Sequence, residues 1–278
     1  MNKVEILAPA GGEESLAAAV KSGCDAVYMG GQGFNARAYA QNFDAAAFGR
    51  AVEYCHVRGV KVYQTLNTLV FDRELSALRQ AVREAAAAGV DALLVQDLGV
   101  ARIVPGCVPA IHQPATPPAP TQAAVTAPSG LELARELGFS RAVLARELSR
   151  EEIAQMARVS GIESEIFVHG AHCMSISGQC YLSALIGGRS GNRGQCAQPC
   201  RLPFAAEGGA EYALSLRDLS LIDRMRELCG LGVAALKIEG RMKRPEYVAA
   251  AVTACRLARD GGEPDLALLR SVFSRDGF

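Results

Sequence analysis

Short apolar runs alternate with longer stretches of helical periodicity along this chain. Val4 to Ala8 is apolar and ends at Pro9-Ala10-Gly11, and Glu13 to Lys21 then reads as a helix closed by Gly23. Ala26 to Met29 is the next run, followed by a helix over Phe43 to Arg58 that stops at Gly59. Lys61 to Leu66, a helix over Arg73 to Ala88 stopped by Gly89, and Ala92 to Val95 repeat the pattern. Glycines at these positions sit where helix C-caps belong. The runs are continuously apolar rather than alternating, as expected of strands buried on both faces of a parallel sheet.

The repeat then becomes less regular. Pro109 to Ile111 is a weak strand ending at His112, and a proline-rich piece, Pro114 to Pro120, follows as an extended or turn segment. Ser129 is expected to cap a helix over Leu131 to Leu137. Ala142 to Ala145 is a strand, and Ser149 with Glu152 makes a capping box at the start of a helix running to Arg158. Glu165 to Val168 and Tyr212 to Leu216 read as strands, Leu219 to Leu228 as a helix. Ala235 to Ile238 and a helix over Tyr247 to Ala258 complete the series. Strands alternating with helices predict an α/β fold, here a (β/α)8 barrel with a cysteine-rich insertion. Nine strands are one too many for that barrel, so either 109–111 or 212–216 is expected to lie outside it. Evenly spaced strands, with no Gly-x-Gly-x-x-Gly opening a helix, favour the closed barrel over a doubly wound sheet.

Length fits one barrel domain over residues 1–278. With 29 basic and 29 acidic residues, broad attraction to nucleic acid is not expected, although a local patch is compatible. No run of apolar residues is long enough to span a membrane, and the start carries no secretory pattern. Nine cysteines without an export signal point to a reducing, cytoplasmic setting.

Four of those cysteines, Cys173, Cys180, Cys196 and Cys200, crowd residues 170–205 with spacing C-x6-C-x15-C-x3-C. Four thiolates complete a zinc site or an iron-sulfur cluster. Buried inert thiols and disulfides are the alternatives. Polar neighbours favour ligation over burial, and the lack of a C-x2-C pair leans toward a cluster. In a barrel, residues where strands end and helices begin make the site. These are Asn35 and Arg37, Asn67, Gln96, His112, Arg146 with Glu147, His169, and Lys237 with Glu239 and Arg241. Arginine holds carboxylate or phosphate, glutamate can position it or move a proton, and histidine can orient substrate. Asp218 is expected to cap the helix after it. The basic run from Gly187 to Gly194, with Arg193, and the later Arg201, Lys243 and Arg244 could touch RNA phosphates or be a solvated loop.

Several stretches carry a family resemblance. They are ILAPAG (6–11), YMGGQGFNAR (28–37), LNTLV (66–70), VLARELS (143–149) and EIFVHGAHCMSISGQC (165–180). NRGQCAQPCR (192–201), SLRDL (215–219) and LKIEGRMKRPEYV (236–248) continue it. With these the chain resembles the peptidase U32 family. That resemblance implies a TIM-barrel-like catalytic domain with a [4Fe-4S] cluster on Cys173, Cys180, Cys196 and Cys200, and His169, Glu239 and Arg241 nearby. It implies RNA hydroxylation, with tRNA, at the wobble uridine, or 23S rRNA as partner. The tRNA branch forms 5-hydroxyuridine, drawing on prephenate or a related metabolite. Other members were reported as proteases, so a peptidase and a non-catalytic partner of a paralogous U32 subunit are the alternatives. The family's H-x-S-T-Q-M segment is broken here: His112 and Gln122 are separated by the proline-rich piece and Ala123 stands for Met. Family members commonly run on past the end of this chain, so a C-terminal extension is expected to be absent.

Overall fold

The computed structural model describes residues 3–37, 39–107, 125–176, 179–204, 208–209 and 211–272. Its strands are β1 (Glu5–Ala10), β2 (Ala26–Met29), β3 (Lys61–Leu66), β4 (Ala92–Val95), β5 (Arg141–Val143), β6 (Glu163–Gly170), β7 (Leu219–Ser220) and β8 (Ala235–Ile238). They form one sheet in the order β4-β3-β2-β1-β8-β6-β5, with all these neighbours parallel. β7 pairs antiparallel with the end of β6, His169 opposite Ser220. The first and last strands lie side by side, so the sheet curls back on itself as a TIM-barrel-like fold with helices outside. The free edges are β4 and β5; the chain between them includes residues 108–124, outside the described set.

The helices are α1 (Glu13–Lys21), α2 (Ala45–His56), α3 (Leu75–Ala88), α4 (Leu98–Cys107), α5 (Pro128–Glu136), α6 (Arg150–Met156), α7 (Leu182–Gly187), α8 (Met225–Gly230), α9 (Pro245–Asp260) and α10 (Leu266–Val272). Two apolar layers result from strand alternation. Ile6, Ala8, Val27, Met29, Val62 and Leu66 face the helices, whereas Leu7, Ala26, Tyr28, Tyr63 and Leu94 cluster separately inside the barrel. No helix among the described residues is long and apolar enough to cross a membrane.

The lower end of the barrel is plugged by charge. Glu5, Arg141 and Glu163 stand at the starts of their strands. Arg141 bonds Glu5 at 2.8 Å, Glu163 at 2.7 Å and Glu165 at 3.3 Å. Lys237 donates to Glu165 at 2.8 Å, and Tyr63 donates to Glu5.

Several expectations are corrected. Tyr212 to Leu216 is not a strand: Tyr212 makes an isolated bridge to Phe204, and no sheet edge takes up the rest. The helix foreseen over 219–228 begins instead as β7, passes through a 3-10 turn and becomes α8. Asp218 therefore caps no helix; the caps are Leu221 and Arg224. Ser129 is not a cap either, because Pro128 opens α5 with Ala127 before it. α4, α7 and α10 were not foreseen. The weak strand at Pro109 to Ile111 lies outside the described residues.

Candidate functional site

The mouth of the barrel, where the parallel strands end, gathers arginines around one carboxylate. Arg37, in the loop after β2, donates to Glu239, just beyond β8, at 2.9 Å. Burial alone would raise the Glu239 carboxyl, but Arg37 and Arg241 beside it hold it below its usual range. The Glu239 backbone is fixed from both sides: its N–H donates to the His169 carbonyl, and its carbonyl accepts from Tyr247 Oη at 2.9 Å. Gly170 makes this approach feasible. Its φ of 121° favours glycine, and a Cβ there would meet the Glu239 carbonyl at 2.5 Å.

His169 reaches the mouth through a bulge in β6. Phe167 pairs with Lys237 and His169 with the very next residue, Ile238. The imidazole is buried and stacks on Tyr247, 5.7 Å between centroids. Burial pushes its pKa down to about 4, so it is neutral at pH 7.

Arg241 is buried and makes no ion pair among the described residues, although the Glu239 charge acts on it. Its hydrogen-bond partner among the described residues is the neutral hydroxyl of Thr65, at 2.8 Å. Its guanidinium lies 5.6 Å from the Tyr28 ring centroid. Burial, and then the charge of Arg37, bring its pKa down to about 10. Gln96, buried at the end of β4, leaves its Oε1 without a partner. A buried guanidinium short of an anion and an unpaired amide mark a place where a ligand can complete the hydrogen bonding. Arg146 adds a third guanidinium, 5.6 Å from the Phe167 ring centroid, and its charge reaches Glu239 and His172. Glu147 acts on His172 from the same turn.

Other foreseen residues turn inward. Asn35 donates to the Gly31 carbonyl and accepts from Arg37 N–H, and Asn67 accepts from Ala36 N–H. Both shape the loop after β2. Lys237 sits inside the barrel on Glu165, below the mouth. Arg193 clasps Glu74 and the Leu69 carbonyl. Arg189 bonds Tyr39, while Arg201 bonds Ser215, Leu216 and His172. The arginines of the basic run thus staple the cysteine segment to the barrel. His112 and Gln122 lie outside the described residues.

The cysteine segment folds over this mouth. None of the described cysteines is in a disulfide. Burial pushes the Cys200 thiol up, Arg201 draws it down, and Cys173, Cys196 and Cys180 raise it further, so the four sulfurs share one neighbourhood. Cys196 also acts on Arg37. Its sulfur accepts from Gln198 N–H at 3.3 Å and from Ser183 Oγ at 3.8 Å, donors of the kind that stabilise a thiolate. Between Gly170 and Phe204 there are three arginines and no carboxylate. The donors of this stretch are therefore four sulfurs and the His172 imidazole, which suits a soft metal or a cluster. No three His, Cys, Asp or Glu side chains among the described residues are already drawn together as a metal cage. By contrast Cys24, Cys55 and Cys255 are buried in the core, with thiols pushed up by burial.

Sequence reasoning missed Thr65, Tyr28 and Tyr247. Thr65 and Tyr28 lie on inward positions of β3 and β2, which strand alternation identifies once the barrel is assumed. Tyr247 lies in the LKIEGRMKRPEYV stretch, whose charged residues drew notice first.

Residues 11–266 match peptidase family U32. The 23S rRNA 5-hydroxycytidine C2501 synthase of Escherichia coli is 35% identical over 89% of this chain and 38% of its own length. The tRNA hydroxylation protein P1 of Bacillus subtilis is 34% identical over 93% of this chain and 63% of its own. A collagenase of Porphyromonas gingivalis is 33% identical over 95% and 66% respectively. The chain thus spans 38% to 66% of the length of these relatives. Among solved structures, the U32 peptidase Mk0906 superposes with a TM-score of 0.57 at 14% identity, covering 85% of this chain and 93% of that one.

Proposed function

The chain belongs to peptidase family U32, and from that premise we propose that it is an RNA-modifying hydroxylase that forms 5-hydroxyuridine at the tRNA wobble position. The observation that carries this reading is the gathering of four cysteines over a mouth whose buried Arg241 hydrogen-bonds a hydroxyl rather than a carboxylate. Relatives named for tRNA hydroxylation and for 5-hydroxycytidine synthesis in 23S rRNA support RNA as the substrate class.

In this reading Cys173, Cys180, Cys196 and Cys200 hold a [4Fe-4S] cluster, which supplies one-electron redox chemistry when bound. Arg241 and Arg146 hold the carboxylate of a prephenate-type co-reactant by charge-assisted hydrogen bonds. Glu239, kept ionised, fixes Arg37 at the edge of that pocket. Neutral His169, braced by Tyr247, presents a hydrogen bond without adding positive charge. Gly170 and the β6 bulge set the imidazole's position, so they are positioning features rather than reacting ones.

The test is mass spectrometry of nucleosides from tRNA and rRNA, comparing cells that carry the chain with cells from which it is deleted. Loss of 5-hydroxyuridine from tRNA, restored by the gene, is expected. Loss of 5-hydroxycytidine from rRNA instead would move the target. An unchanged nucleoside profile with cleavage of gelatin by the purified chain would establish the peptidase reading, to which the collagenase relative points. Modification that appears only on adding a paralogous U32 subunit would make this chain a partner.

A further inference from the structure

Beside the mouth, the loop after β2 and the turn after β3 enclose a cleft of about 350 Å³, at the small end for ligand sites. Its lining is unusual in chemistry. Four carboxamides, Gln32, Asn35, Gln41 and Asn42, meet Thr68, Phe34 and Arg193, and no carboxylate lines it. Asn35 is spent on the loop backbone, as described above. Gln32, Gln41 and the Thr68 hydroxyl make no hydrogen bond among the described residues. Asn42 uses both N–H groups on the carbonyls of Arg37 and Ala40, and its Oδ1, buried against Gly30, has no partner among the described residues.

The backbone here is held in a costly shape. Among the described residues three non-glycine residues have positive φ, and Phe34 (49°) and Asn42 (51°), both in this lining, are two of them. Strain of that kind gathers at functional sites. Two exposed aromatic rings adjoin lining residues, Tyr39 next to Ala40 in the chain and Phe71 against Arg193, and each is under a guanidinium. Arg189 lies 5.5 Å from the Tyr39 ring centroid, and Arg193 and Arg73 lie 4.8 and 4.4 Å from that of Phe71.

We propose that this cleft is a base pocket for an unstacked pyrimidine of single-stranded RNA, uridine first, with flanking nucleotides stacking on Tyr39 and Phe71. The inference rests on the RNA reading above and specifies where the base is read. Uracil offers one N–H donor between two carbonyl acceptors. The exposed amides of Gln32 and Gln41 each carry an oxygen that can accept from the first and N–H groups that can donate to the others. A lining rich in carboxamides, whose single charge, Arg193, is taken up by Glu74, suits a neutral heterocycle, and aromatic rings paired with arginine are stacking platforms for bases. A peptide would need apolar subsites for its side chains, and Phe34 is the one large apolar residue of the lining.

The test is equilibrium binding of the full chain to a labelled RNA hairpin with one loop uridine, and to the same hairpin with an abasic site there. Wild type is expected to prefer the uridine hairpin by about tenfold, a loss in scale with removing the base's hydrogen bonds and stacking. The Gln32→Met/Gln41→Met protein, altered at two exposed side chains, is expected to bind both hairpins equally. Tyr39→Ala should weaken both by a similar factor, about tenfold, through the flanking stack. A double variant that still discriminates as wild type does would overturn the pocket and leave the RNA reading standing. Wild type that binds neither hairpin would remove the RNA reading and the pocket together. Binding of a gelatin peptide that the double variant loses would assign the cleft to peptide and overturn the proposal.

Discussion

The two ends of the barrel use the same residue types to opposite ends. At the lower end Arg141 and Lys237 face Glu5, Glu163 and Glu165, and each charge is matched within hydrogen-bonding distance. At the mouth Arg37 takes Glu239, Arg241 is left with a hydroxyl, and Gln96 Oε1 has no partner. Glu5, Arg141, Glu165 and Lys237 at one end and Arg241 and Gln96 at the other are all buried, so solvent does not explain the difference. A closed network fixes strand starts; an open one keeps binding capacity in reserve. Which glutamate or arginine is structural and which is functional therefore depends on what pairs with it, not on its identity or its place at a strand end.

Four measurements sharpen that contrast, in order of expected size. Arg141→Met removes the cation that Glu5 and Glu165 share, leaving Glu165 with Lys237 and Glu5 with the exposed Lys61, and should cost about 3 kcal/mol in chemical denaturation. A loss below 1 kcal/mol would show that the lower network is dispensable. Next comes His169. Its folded pKa, about 4, lies below the ordinary 6.5, so the unfolded chain takes up the proton first as pH falls. Stability from this group is complete above pH 6.5 and declines toward pH 4, by on the order of 3 kcal/mol. The His169→Phe protein should lack that part of the acid slope; identical slopes in both proteins would show that the imidazole is not desolvated.

Arg241→Met reverses the behaviour of Arg141→Met. It removes a buried charge whose hydrogen-bond partner is a hydroxyl and whose neighbouring carboxylate, Glu239, keeps Arg37, so stability should change by about 1 kcal/mol or less, while binding of the proposed prephenate-type co-reactant weakens by about 2 kcal/mol. A large loss of stability with unchanged binding would make Arg241 a structural residue like Arg141. The smallest effect is expected for Arg193→Ala. Its two-pronged contact with Glu74 is partly exposed, and losing it should cost about 1 kcal/mol, read as a small fall in the thermal midpoint.

Much of the barrel was legible because its strands are short apolar runs closed by polar turns. β2, β3, β4 and β8 fall where those runs predict. The error at Tyr212 to Leu216 has a physical cause: a short, mostly apolar run satisfies the strand pattern, but a strand also needs a free edge, which a single sequence does not reveal. β7 found that edge three residues later, on the end of β6. α7 is a single short turn whose Leu185 and Ile186 remain exposed, so no amphipathic face announced it. In the site, residue types were legible and pairings were not. Asn35 and Asn67 looked like ligand-binding amides and serve the loop backbone, whereas Lys237 looked like a mouth residue and lies on Glu165. Long-range pairing of this kind, such as Arg37 with Glu239, depends on strand order, which no local pattern encodes.

The most direct test of the account is the iron and acid-labile sulfide content of the chain purified without oxygen, for wild type and for Cys200→Ala. About four of each per wild-type chain, and loss of both in the variant, is the predicted result. Zinc in place of iron, or a metal-free wild-type chain, would contradict the redox reading and leave the cysteine segment as a structural cover for the barrel mouth.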